Sequence, residues 1–279
     1  MIEHIVISSG GPNILVQLGM LGQAVKSNVL DIANIKSVHG CSSGTILGVF
    51  ICLKIPVEDV IEYVITRRWD KCVRYDIHQF YTNKGIIDNQ LIEDMLIPFF
   101  KAYDVPLDIT LKDFYLRTGV DFTLLTTEVS EMKSVTLHHS TFPDLPVLTA
   151  VTMSSVVPIV FAPVKYKDSY YIDGVCRRHC PIVDYPEETV CVITIDTTVD
   201  TTVNFEDITE YFQYILIKSY RILSESEDIC KGVQFKFKGL VSNFNAEVWK
   251  KTIEEEDYRR EMIEQGRNSV LEQLEKVEL

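Results

Sequence analysis

Apolar residues open the chain in short runs, and each run ends in glycine or serine. Ile5-Val6-Ile7 is strand-length and closes on Ser8-Ser9-Gly10-Gly11, a tight glycine loop. Over residues 15–26 the apolar positions Leu15, Leu18, Leu21 and Val25 recur at helical spacing. Residues 35–38 are strand-like again and run into Gly40-Cys41-Ser42-Ser43-Gly44. Ile46, Leu47, Val49, Phe50, Ile51 and Leu53 then follow densely enough for a buried helix. The order strand, helix, strand, helix implies a parallel sheet with helical crossovers.

Helical patterns continue over 57–69 and 89–103. Residues 121–128 and 134–138 alternate as paired strands do, and 145–154 predicts a helix stopped by Pro158. Residues 164–172 read as a hairpin turning at Lys167-Asp168-Ser169, and 190–196 as a core strand rich in β-branched residues. Helices are expected over 208–223 and 248–279. The first carries Tyr211, Phe212, Ile215, Leu216 and Tyr220 at helical spacing, a face that ordinarily packs on a sheet and alternatively meets a lipid interface. The second is highly charged, with Glu254-Glu255-Glu256, and reads as a solvated terminal helix. No repeat, low-complexity tract or linker interrupts the pattern, so a single domain over 1–279 is expected.

Composition narrows the function. The chain has 279 residues, 46% of them hydrophobic and 24% charged, which are ordinary globular proportions with room for a polar pocket. A net charge of −13 argues against nucleic-acid binding and against strong attraction to anionic membranes. Any membrane contact is therefore expected to be apolar and peripheral. Seven cysteines, an odd number without CxxC spacing, make a poor disulfide framework. Cys176, His179 and Cys180 resemble a metal cluster only superficially, because no second ligand pair follows. The sequence starts straight into a strand with no signal-peptide pattern, and no window nears 18 uninterrupted apolar residues. A cytoplasmic, reducing location is expected.

Three short motifs carry chemistry. Gly40-Cys41-Ser42-Ser43-Gly44 fits the G-x-S-x-G nucleophile elbow, where a serine sits on a sharp strand-to-helix turn and the next N–H faces the reacting carbonyl. Ser8-Ser9-Gly10-Gly11 offers backbone donors for a developing oxyanion; it lacks both the G-x-G-x-x-G and the Walker patterns of phosphate loops. Tyr171-Ile172-Asp173-Gly174 supplies a carboxylate able to accept the serine proton, or else a plain Asp-Gly turn.

Together these motifs resemble the patatin-like phospholipases, lipid acyl hydrolases with a Ser–Asp dyad. The glycine loop, the elbow and the late Asp-Gly stand in the family's order, and residues 152–163, with Ser155, Pro158, Phe161 and Pro163, resemble the segment before its catalytic aspartate. The resemblance covers roughly residues 4–200 and implies a patatin-like three-layer α/β/α sandwich with a mostly parallel central sheet. Residues 201–279 are expected to be a helical extension packed on or beside that core.

The resemblance makes Ser42 the nucleophile, Asp173 the base, and Gly10 and Gly11 the oxyanion donors, with no cofactor and no catalytic metal. Two positions depart from the family pattern. Ser9 replaces the first glycine, and Pro12-Asn13-Ile14 replaces the x-Arg/Lys-Gly that follows, so a third donor falls to Asn13. Val175 stands where glycine or alanine is usual. Of six histidines none lies beyond His179, so a late triad histidine is not expected, and His39 and His179 are read as structural. The implied substrates are phospholipids or other fatty-acyl esters, with the apolar pocket drawn from Phe161, Val160 and the 145–156 helix. The rivals are an inactive lipid-binding or interaction protein on the same fold, and an esterase or thioesterase for short soluble acyl groups.

Overall fold

The computed structural model describes residues 1–74, 82, 84–198, 206, 211, 214–215, 230–242 and 246–276. Its centre is an eight-stranded sheet. β1 (His4–Ile7) lies between β2 (Ser37–Cys41) and β9 (Val190–Thr198), with β10 (Val233–Ser242) beyond β9, all parallel. β4 (Asp121–Glu128) continues the parallel run beside β2, and β5 (Lys133–Leu137), β7 (Val164–Tyr166) and β8 (Ser169–Asp173) add antiparallel pairings. A separate parallel pair joins β3 (Gly85–Ile87) to β6 (Ile159–Phe161).

Alternation along the strands sorts the two faces of this sheet. Ile5 and Ile7 of β1, with Cys191, Ile193 and Ile195 of β9, belong to the main core. Val6, Val190 and Val192 point the other way and pack with Val183 and Tyr185. The helices are α1 (Ile14–Lys26), α2 (Ser43–Cys52), α3 (Val57–Thr66), α4 (Gln90–Ala102), α5 (Leu111–Thr118), α6 (Val147–Ser155), α7 (Ala246–Glu254) and α8 (Glu256–Glu275). They flank a mixed, mostly parallel sheet in the three-layer α/β/α arrangement expected from the sequence. Among the described residues, no helix is long and apolar enough to cross a membrane.

One detail of the sheet positions the chemistry. β4 gives residues 124–128 of one edge to β5, so its other edge takes both remaining partners. Residues 121–125 of that edge pair with β2, and residues 126–128 pair with β8 running the opposite way. β2 and β8 therefore meet end to end, with Cys41 opposite Leu125 and Asp173 opposite Thr126. The residue after Cys41 and the last residue of β8 are thereby brought together.

The segment beyond residue 201 differs from the expectation of an all-helical extension. Residues 233–242 are a strand of the central sheet, and the expected helix over 248–279 is two helices broken at Glu255 (φ −110°, ψ 114°). The expected helix over 208–223 lies outside the described residues except at isolated positions. α8 is built into the core: a Cβ on Gly19 of α1 would stand 2.0 Å from the Ile263 carbonyl oxygen, and one on Gly266 of α8 2.1 Å from that of Val16. The two helices thus cross backbone to backbone.

Candidate active site

Ser42 occupies the single residue between β2 and α2, with φ 53° and ψ −125°. A non-glycine residue at such angles costs about 1–3 kcal/mol and persists only where its surroundings over-determine it. Here they do. The Thr45 N–H and hydroxyl both donate to the Ser42 carbonyl, at 2.8 and 2.7 Å. The Ser42 N–H donates to Ser154 Oγ at 3.1 Å, and that hydroxyl donates to the Leu125 carbonyl at 2.6 Å. A Cβ at Gly44 would stand 2.3 Å from the Ile7 carbonyl oxygen, so glycine is needed for α2 to approach β1.

The Ser42 hydroxyl donates to Asp173 Oδ2 at 2.6 Å, joining residues 131 positions apart in sequence. Asp173 is fully buried, and its Oδ1 accepts the Val175 N–H at 2.8 Å. Its backbone is pinned on both sides, the N–H donating to Val156 and the carbonyl accepting from the Thr127 hydroxyl. Burial pushes the carboxyl up to about 7 from its ordinary 3.8, against the lowering effect of the hydrogen bonds from Ser42 and Val175. A base poised near neutrality is suited to accepting and returning a proton.

The glycine loop is held by its neighbours at both ends. Ser8 N–H donates to the Ile193 carbonyl and Ser9 N–H to that of His179. Buried Gln17 of α1 bridges loop and elbow: its amide donates to the Ser8 carbonyl at 2.8 Å, and its oxygen accepts the Ser43 hydroxyl at 2.8 Å. Asn13 N–H donates to the Gly10 carbonyl at 3.0 Å, closing a 3-10 turn over Gly11–Asn13, so that N–H is already engaged. Among the described residues, the N–H groups of Gly10, Gly11 and Ser43 have no acceptor. The Asn13 side-chain amide is buried without a hydrogen-bond partner and does not line the cleft described next.

A cleft opens over Ser42, Ser43 and Gly11. Its walls are apolar: Ile14, Leu15, Ile46, Leu91, Ile92, Met95, Val157 and Phe161 among others. Phe161 lies where the sequence placed it, whereas Val160 is not a lining residue and α6 contributes only its end, Ser155. The far wall comes from Trp249, Thr252, Ile253 and Arg259 of α7 and α8, none of which sequence reasoning had assigned. Buried Arg259 donates to the carbonyls of Ile65, Arg67, Thr252 and Ile253, which fastens the ends of α3 and α7 together.

His39 points to the opposite face of β2, where it bonds Thr123, Ser37 and Tyr185, and burial pushes it down to about 4. His179 faces Ser9, its Nδ1 being 3.4 Å from the Ser9 hydroxyl. The seven cysteines are free.

A family model described as patatin-like phospholipase matches residues 5–184. The probable lipid hydrolase 463L of Invertebrate iridescent virus 6 is 23% identical over 186 residues, covering 64% of this chain and 62% of the viral protein. Among solved structures, VipD from Legionella pneumophila superposes with a TM-score of 0.52 at 12% identity, over 94% of this chain and 66% of VipD. The type III effector ExoU of Pseudomonas aeruginosa gives 0.50 at 11% identity, over 100% of this chain and 53% of ExoU. These two likenesses are of fold, and the chain spans about three fifths of its viral relative's length. With the family model covering most of the chain from β1 past Asp173, this protein belongs to the patatin-like phospholipase family.

Proposed function

We propose that the protein is a serine acyl hydrolase that releases fatty acids from phospholipids or related acyl esters through Ser42 and Asp173. The observation that carries this reading is the 2.6 Å hydrogen bond from the Ser42 hydroxyl to a fully buried carboxylate. Asp173 takes the hydroxyl proton as Ser42 Oγ attacks the ester carbonyl carbon. The tetrahedral oxyanion is received by the N–H groups of Gly10, Gly11 and Ser43, each such donor lowering the barrier by about 3 kcal/mol. Asn13 is not among the donors in this reading, because its N–H serves Gly10. Collapse of the intermediate expels the alcohol, which leaves with the proton held by Asp173. Water then attacks the acyl-enzyme with Asp173 again as base, and the fatty acid is freed. The apolar cleft walls supply the acyl-chain site, which favours a long chain over a short soluble acyl group.

The test uses purified protein, defined mixed-acyl phospholipids and mass analysis of the released acid, beside labelling by a fluorophosphonate. Wild type should be labelled and should release fatty acid, and Ser42→Ala should do neither. An unlabelled wild type would favour an inactive lipid-binding protein, and a preference for short soluble esters would favour a general esterase.

A further inference from the structure

At the end of the sheet opposite Ser42, two consecutive histidines converge on one carboxylate. His138 and His139 follow β5, and the antiparallel register that pairs Leu124 with Leu137 brings them alongside the start of β4, where Asp121 stands. Asp121 Oδ1 lies 2.5 Å from His138 Nε2 and 3.6 Å from His139 Nε2. The three ligand atoms fall within 4.8 Å of one another, and no other group of three His, Cys, Asp or Glu side chains gathers this way among the described residues. Cys176, His179 and Cys180, the cluster that drew attention in the sequence, do not.

The spacing suits a small tetrahedral ion. Zinc bonds of about 2.0–2.1 Å hold neighbouring ligand atoms roughly 3.3 Å apart, a value bracketed by the two observed separations. The rings are also held for the task. Ser140 lies against His138 Nδ1, with its Oγ 2.6 Å away and its backbone N–H donating to that nitrogen at 3.3 Å, which fixes the orientation of the ring. His139 stacks on Tyr115 with ring centres 3.9 Å apart and planes within 3°. The side chains are partly open, at 20%, 23% and 42% exposure, which leaves room for a water as fourth ligand. Two imidazoles and one carboxylate select borderline transition cations over magnesium or calcium.

We propose that Asp121, His138 and His139 bind a divalent transition-metal ion, zinc by preference, which ties β4 to the segment after β5. The site lies apart from the catalytic cleft, so its role is to fasten the sheet edge and not to take part in ester cleavage.

Chelator-treated full-length protein is titrated with Zn²⁺ by calorimetry and with Co²⁺ by absorption. The expected result is one equivalent bound in the micromolar range or tighter, with Co²⁺ bands of nitrogen and oxygen ligation. His138→Ala and Asp121→Asn should each weaken binding at least tenfold and abolish the Zn²⁺-dependent rise in Tm, while fluorophosphonate labelling of Ser42 is unchanged. His139→Gln, which keeps size and polarity, carries the same test should either variant fail to fold. Absence of binding, binding unaltered by these substitutions, or the intense thiolate bands that free cysteines would give overturns the proposal.

Discussion

Asp173→Asn separates catalysis from stability in opposite directions, and the separation has a calculable size. The asparagine keeps an oxygen for the Val175 N–H and presents an amide to Ser42, so the loop retains its hydrogen bonds. In the wild type the folded carboxyl holds its proton up to about pH 7, whereas the unfolded one ionises near its ordinary 3.8. The folded state therefore binds the extra proton between those values. The stability this adds is fully present below 3.8 and is lost as pH rises through 7. From pH 5 to pH 9 the loss spans about two pH units of linkage, or about 3 kcal/mol. Asparagine does not titrate. Relative to wild type, Asp173→Asn should thus gain about 3 kcal/mol between pH 5 and pH 9, roughly 5 °C of Tm for a chain this long. Above pH 7, where the wild-type carboxyl is ionised, its kcat should fall about 10³–10⁴-fold, because no base remains. Thermal unfolding of both proteins across that range, with ester hydrolysis measured alongside, checks both limbs. Parallel Tm–pH curves would refute the burial argument, and retained turnover would remove Asp173 from the mechanism.

The same carboxyl predicts that wild-type kcat/KM climbs with pH and levels off above an apparent pKa near 7, since only the ionised form accepts the serine proton; a flat profile over pH 5–9 would contradict it. Gln17→Leu removes the bridge between Ser8 and Ser43, and kcat should drop about 10–100-fold with KM within a few-fold, because the donors lose alignment while the cleft walls stay. A rise in KM alone would make Gln17 a packing residue. Arg259→Met removes the guanidinium that donates to four carbonyls, in buried contacts to those of Ile65 and Ile253, and should destabilise by about 3–5 kcal/mol in denaturant titration; a change under about 1 kcal/mol would show that water replaces the guanidinium.

Period and punctuation made much of the architecture legible. The strand-to-helix turn at Ser42, the hairpin turning at Lys167 and Asp168, and the core strand from Val190 all follow from local rules that the structure obeys. The strand over 233–242 was legible too, since Phe235 and Phe237 alternate with Lys236 and Lys238. Its period-two alternation is brief and is followed at once by a longer, charge-rich helical pattern. Gln17 left a fainter signal, an amide flanked by apolar residues in the first turns of α1, whose buried partners come from two other segments. The wall formed by Trp249 and Arg259 left none. Which face of α7 and α8 meets the cleft depends on the backbone crossing at Gly19 and Gly266, a contact between residues far apart in the chain.

Where the sequence departs from the family pattern, the structure gives each substitution a local role. Ser9 stands in for a glycine, and its side chain meets His179 while its N–H is already bonded there, so the position does not need to be bare. Pro12 lacks an N–H but falls in the first turn of a 3-10 helix, where that donor would have no partner within the turn. Val175 adds a side chain after Asp173-Gly174, yet what the carboxylate uses is the Val175 backbone N–H, which any residue but proline supplies. The missing glycines are offset by Gln17: a Cβ at Gly10 would come within 2.8 Å of its oxygen, so the amide sits directly against the loop it braces. An altered glycine loop is therefore compatible with ordered donors, provided the brace is kept. That makes Gln17, more than any residue of the loop's own motif, the position on which the competence of the proposed oxyanion site turns.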